Sequence, residues 1–136
     1  MPEIEVRPAQ ADDIPGLMEI EHNYSSDYVW QMDLQVDSTQ SVVNFRKIRL
    51  PRSVKVEYPR SMETLFEEWP RRCTVLTAVY EQKAIGYIRL KQGIAPNTVW
   101  VTDMAVTLLM RRKGIASALL LAAQEWAIHK KHDAMI

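Results

Sequence analysis

The residues whose types and spacing carry the most chemistry lie between Val106 and Ser117. A β-rich run ending at Ala105-Val106 is followed by Thr107-Leu108-Leu109-Met110, then by Arg111-Arg112-Lys113-Gly114-Ile115-Ala116, and then by a long helical pattern. The first amides of a helix have no partner within it, point along its axis and sit at the positive end of its dipole. A strand, a turn and a helix N-terminus in this order therefore form an anion site. Gly114 and Ala116 leave room for a bulky phosphate to approach the backbone, while Arg111, Arg112 and Lys113 add charge around it. A pyrophosphate fits this arrangement better than a single phosphate. A basic triplet alone reads as a solvated loop; the small residues and the uninterrupted helix behind it favour the anion site. The two common glycine-rich nucleotide patterns, G-x-x-x-x-G-K-[ST] and G-x-G-x-x-G, are absent.

The elements that position this stretch can be read in order. Ile4 and Val6 alternate with Glu3, Glu5 and Arg7, which predicts a strand over residues 3 to 7 that stops at Pro8. Asp12 or Asp13 caps a helix with Pro15 in its first turn and Leu17, Met18 and Ile20 on its apolar side, running to about Tyr24. From Ser25 to Arg72 three prolines interrupt the chain and aromatic residues are scattered. One helix is expected there, from Ser61 to before Pro70, and Val54 to Tyr58 suits a strand. This aromatic-bearing insertion, with Tyr28, Trp30 and Trp69, is either a packed cover or one wall of a substrate pocket. Thr74 to Tyr80 and Ala84 to Leu90 form a hairpin joined by Glu81-Gln82-Lys83. Val99 to Val106 is a further strand, Gly114 to about Lys130 is a helix, and Asp133 to Ile136 turns apolar again.

Composition bounds the whole. The chain has 136 residues, 47% of them hydrophobic and 25% charged, which suits a single domain over residues 1–136. Seventeen basic and seventeen acidic residues give a net charge of zero, poor support for nucleic-acid binding driven by counterion release. The lone Cys73 forms no internal disulfide, and three histidines offer no zinc-type spacing, so no metal is expected. The N-terminal residues lack the pattern of a secretory signal, and no apolar run reaches the roughly 20 residues that span a bilayer. A cytoplasmic protein with no membrane partner is the expectation.

Arg111-Arg112-Lys113-Gly114-Ile115-Ala116 resembles the acetyl-CoA signature Q/R-x-x-G-x-G/A of the GNAT superfamily of N-acetyltransferases, matching it at every specified position. Thr102-Asp103-Met104-Ala105-Val106 is similar to the end of that family's fourth strand. The order strand, helix, variable helical region, hairpin, strand and long helix extends the resemblance over essentially the whole chain. The fold it implies is α/β (α+β), a mixed and mostly antiparallel central sheet flanked by helices. The activity it implies is transfer of an acetyl group from acetyl-CoA to a primary amine by direct attack, through a tetrahedral intermediate and without an acyl-enzyme. Backbone groups of Met104, Ala105 and Val106 would bind the pantetheine arm. The amides of Arg112, Lys113, Gly114, Ile115 and Ala116, with Ser117 behind them, would hold the pyrophosphate, and an N–H near Met104 would polarise the thioester carbonyl. Asp103 is offered as general base, against the alternatives of a structural carboxylate and of proton loss through water. Where some members carry a catalytic Glu this chain has Trp100, which does not titrate. Cys73 reads as a small core residue, and His22, His129 and His132 as surface residues.

The resemblance also implies elements after the long helix: a fifth strand, another helix and a final strand pair, often with a tyrosine acting as general acid. Asp133 to Ile136 would open that fifth strand, so the sequence reads as a truncated chain, or as one whose sheet edge is covered by a homo-oligomer or by a complementing chain. Two functions follow. One is an N-acetyltransferase acting on a small-molecule or protein amine, with a resemblance around Tyr28-Val29-Trp30 and Trp100 to Thr102 to antibiotic acetyltransferases of the streptothricin kind. The other is a non-catalytic module that binds acyl-CoA or a partner chain.

Overall fold

A computed structural model describes residues 3–130 and the backbone of residues 134 and 135. The expected strands become β1 (Glu5–Pro8), β4 (Thr74–Tyr80), β5 (Lys83–Gln92) and β6 (Thr98–Val106), and the last is followed by β7 (Ala134–Met135). Between β1 and β4 lie helix α1 (Ile14–Met18), strands β2 (Tyr24–Val36) and β3 (Ser41–Val56) and helix α2 (Met62–Glu67); helix α3 (Ile115–His129) follows β6. By their internal contacts the residues fall into two units, 1–21 with 60–136, and 22–59.

In the larger unit the sheet runs β1-β4-β5-β6-β7, antiparallel throughout except for the parallel β6–β7 pair. This is the mixed, mostly antiparallel sheet with flanking helices that the sequence implied. Glu81 and Gln82, with φ of 49° and 66°, make the β4–β5 connection a two-residue turn, one residue shorter than expected. Two consecutive left-handed residues match the right-handed twist of the strands they join.

Burial separates the two faces of the sheet. Ile88 and Leu90 on β5 join Leu76, Ala78 and Val99 against Ile115, Leu119, Ala123 and Ala127 of α3. The intervening Tyr87 and Arg89 point the other way, where Tyr87 meets Phe66 of α2 with ring centroids 5.2 Å apart. Leu17 of α1 and Leu65 of α2 are buried on this second side. Gly86 lets β5 and β6 approach, since a Cβ there would stand 3.0 Å from the carbonyl oxygen of Ala105.

Two expectations are corrected. The first helix stops at Met18 and not near Tyr24, because Glu19 caps it and Ile20 closes a 3₁₀-type bond to Leu17. The stretch after Ser25, read as a variable helical region, is a long β-hairpin: Trp30 to Val36 alternates apolar and polar residues, and the Asp37 carboxylate accepts from the amides of Thr39 and Gln40 at the turn. The Ser61 cap is present, its hydroxyl accepting from the Thr64 amide at 3.2 Å, and α2 ends at Glu67. His132 lies outside the described residues.

Candidate functional site

The residues singled out between Asp103 and Ser117 form one continuous strand, turn and helix N-terminus. Thr107 donates its amide to Ile85 at 2.8 Å, and the register pairs Tyr87 with Ala105. In an antiparallel ladder the groups that face the partner strand alternate. Ala105 therefore bonds to β5, while the N–H and C=O of Met104 and the N–H of Val106 face the opposite edge. There β7 pairs only with Thr98 and Val99 among the described residues. Met104 is also the most open residue of this half-strand, at 37% exposure. An extended molecule with amide groups can add to such an edge as a further strand would.

A bulge sets this geometry. Arg89 pairs with Asp103 and the next residue, Leu90, pairs with Val101, so Thr102 is extra. Bulges bend a strand and re-aim the residues that follow. Side chains pin this one: Arg89 Nη1 donates to Thr102 Oγ1 at 2.9 Å, and Thr102 Oγ1 donates to the Arg89 carbonyl at 3.2 Å. The Asp103 carboxylate, with no side-chain exposure, accepts from Arg60 at 2.7 and 2.9 Å and lies 3.4 Å from Arg89. Glu68, just past α2, binds Arg89 at 2.8 Å and Lys91 at 3.2 Å. The Lys91 ammonium, first among the causes, holds Glu68 below the usual carboxylate range.

This surrounding is that of the structural carboxylate weighed as the alternative to a general base at Asp103. A proton acceptor has to meet the amine, whereas both oxygens of Asp103 already accept from guanidinium groups and none of its side chain is exposed. It holds Arg60 and Arg89 against the bulge. The Arg89 Nε and the Trp100 Nε1 are buried without a hydrogen-bond partner among the described residues. Cys73 is buried as expected, and burial pushes its thiol up, which favours the protonated form.

After a 3₁₀ turn over Leu108–Met110 the chain reaches the basic segment. Arg112 and Gly114 both stand in the left-handed region, at φ 65° and 84°. Gly114 is the N-cap of α3, and no side chain caps the helix there. The first amides of α3 have no partner within the helix, and Arg112, Lys113, Gly114 and Ser117 stand exposed around them. Arg111 is placed differently. Its Nε donates to the Val106 carbonyl at 2.8 Å and its Nη2 to the Glu21 carbonyl at 2.6 Å, so its guanidinium ties the turn to the end of β6 and does not reach outward. Sequence reasoning found the segment but not this division of labour among its three cations. Arg60 and Arg89 also went unnoticed, because their role depends on a bulge that alternation in one strand does not reveal.

Tyr28 and Trp30, expected in a pocket wall or the core, stand 43% and 69% exposed on the hairpin, with Lys47 Nζ 4.5 Å from the centre of the Tyr28 ring. Trp69 lines a cavity with Glu67, Glu68, Pro70, Arg71 and Arg72. No helix among the described residues is long and apolar enough to cross a membrane.

The chain belongs to the acetyltransferase (GNAT) family, whose sequence model matches residues 40–136. No curated protein matches it. Among solved structures it is similar to a protein assigned as a streptothricin acetyltransferase from Bacillus anthracis str. Ames, in complex with acetyl coenzyme A. The two are 18% identical with a TM-score of 0.71, over 98% of this chain and 73% of that one. A nourseothricin acetyltransferase is 14% identical with a TM-score of 0.70, over 95% and 69% of the two chains. The ribosomal-protein-S18-alanine N-acetyltransferase from Escherichia coli is 12% identical with a TM-score of 0.60, over 94% and 61%. Likeness at these identities is likeness of fold.

Proposed function

We propose that the chain moves an acetyl group from acetyl-CoA to a primary amine, and that it does so in the cytoplasm. The observation that carries this reading is the uncapped N-terminus of α3 at Gly114, directly continuous with the outward-facing backbone of Met104 and Val106. Acetyl-CoA, when bound, supplies the acetyl group as a thioester. The amides of Ile115, Ala116 and Ser117 hold its pyrophosphate, with Arg112 and Lys113 adding charge at the rim. Met104 and Val106 hold the pantetheine amides as a strand partner would. The Met104 N–H donates to the oxygen that gains charge as the amine adds, which is stabilisation by a preorganised backbone dipole.

Asp103, Arg60 and Arg89 keep that dipole in place by fixing the bulge, and the amine loses its proton to water. The acceptor class is a small amine; streptothricin-type compounds are the first to test, since two similar folds carry acetyltransferases of that name or of nourseothricin. The test is release of free CoA thiol on mixing the chain with acetyl-CoA and a panel of amines that includes a streptothricin, with mass spectrometry of the amine. An acetylated amine together with CoA release is the expected result. Tight binding of acetyl-CoA with no amine acetylated would replace this reading by that of a non-catalytic acyl-CoA-binding module.

A further inference from the structure

The hairpin of β2 and β3 separates its side chains by polarity. Residues opposite each other in the register share a face. One face carries Trp30, Met32, Leu34 and Val36 from β2 with Phe45 and Val43 from β3, in the pairs Met32–Phe45 and Leu34–Val43. The other is polar along its middle, with Gln31, Asp33, Gln35, Asn44 and Arg46 joined by Arg46 Nε to Asp33 at 3.0 Å and Arg46 Nη2 to Gln31 at 3.2 Å, and carries Val42 and the Val29–Ile48 pair towards its ends. The six apolar side chains are 48% to 69% exposed. A two-stranded hairpin is marginal in water unless such a face is covered.

We propose that this face is a homodimer interface, in which a second copy of the chain stacks its own Trp30, Met32, Leu34, Val36, Val43 and Phe45 against it about a two-fold axis near Met32 and Leu34. Side chains of these sizes at these exposures present on the order of 600 Å². That is at the upper limit for a monomer's largest patch and close to the roughly 800 Å² per partner of a stable complex. The two-fold axis turns one hairpin end for end against the other, so the Trp30–Lys47 rung of one copy lies over the Val36–Ser41 rung of its partner. Lys47 and Arg49, which border the apolar face at one end, then approach the turn of the other copy, where the Asp37 carboxylate is held by two amides. The charges are complementary at both ends of the stack, and each face meets only itself, as a closed pair requires.

Analytical ultracentrifugation of the full chain between about 1 and 100 μM tests this, independently of any acetyl transfer. The wild type is expected at twice its 15.7 kDa mass at the upper concentrations. Trp30→Glu with Phe45→Lys is expected to weaken dimerisation at least about thirtyfold, in line with loss of central aromatic anchors. Gln35→Lys on the polar face should leave it unchanged, with far-UV circular dichroism showing that every variant is folded. A folded wild type that is monomeric at about 100 μM overturns the proposal. A dimer that the double variant leaves intact overturns it equally, by placing the interface elsewhere.

Discussion

At Gly114 the backbone stands at φ 84°, a conformation that costs any residue with a Cβ roughly 1–2 kcal/mol. The signature position is thus explained by the turn itself. Its neighbour Arg111 is different in kind, because the guanidinium is spent on the carbonyls of Val106 and Glu21. Arg111→Ala is therefore expected to act first on stability, lowering it by about 2 kcal/mol as two charge-assisted bonds are lost. Thermal unfolding followed by circular dichroism measures this; an unchanged midpoint with lost ligand affinity would instead make Arg111 a direct phosphate contact. Both residues were legible in the sequence as a motif. What the sequence did not carry was direction, since three consecutive cations look alike until the turn sends one of them inward.

The elements show the same division. The β4–β5 hairpin, β6 and α3 were legible because their apolar runs are long and bounded by turn residues, and β1 because its apolar residues recur at every second position. The β2–β3 hairpin was equally periodic from Trp30 to Val36, but prolines and scattered aromatic residues on either side hid it, and the Asp37 turn lacks glycine. The bulge at Thr102 was not legible at all: it is a mismatch between two strands, fixed by Arg89, Arg60 and Asp103 across β5, β6 and the segment leading into α2. Asp103→Asn leaves the buried Arg89 short of a counter-charge, and a loss of about 3 kcal/mol of stability is expected. Turnover by the folded fraction, measured at a temperature where the variant is native, should stay within about tenfold of wild type. A drop of about a thousandfold in a fully folded variant would restore Asp103 to the role of general base.

For the molecule as a whole, its neutral balance of charge leaves the acid limb of stability to a few specific pairs. Arg7 donates to both oxygens of Asp13, at 2.7 and 3.2 Å, and this hydrogen bonding holds the Asp13 carboxyl below the ordinary value of 3.8. Glu68 is lowered in the same sense by Lys91. A carboxyl whose folded value lies below its unfolded one contributes stability that is complete above the unfolded value and lost as pH falls through the folded one. The unfolding midpoint should therefore hold level from about pH 7 to pH 5 and fall below about pH 4. Asp13→Asn should lower the plateau and flatten part of that fall. A fall of the same depth in Asp13→Asn and wild type would assign the acid limb to other groups.

The claim on which the function rests is that the uncapped start of α3 and the open edge of β6 together bind acetyl-CoA. Isothermal titration of the 136-residue chain with acetyl-CoA, beside Gly114→Val checked for its fold by circular dichroism, tests it most directly. Saturable one-to-one binding by the wild type is expected, weakened at least about tenfold in the variant. A folded wild type that takes up no acetyl-CoA, or a folded variant that binds it as tightly, would contradict that claim.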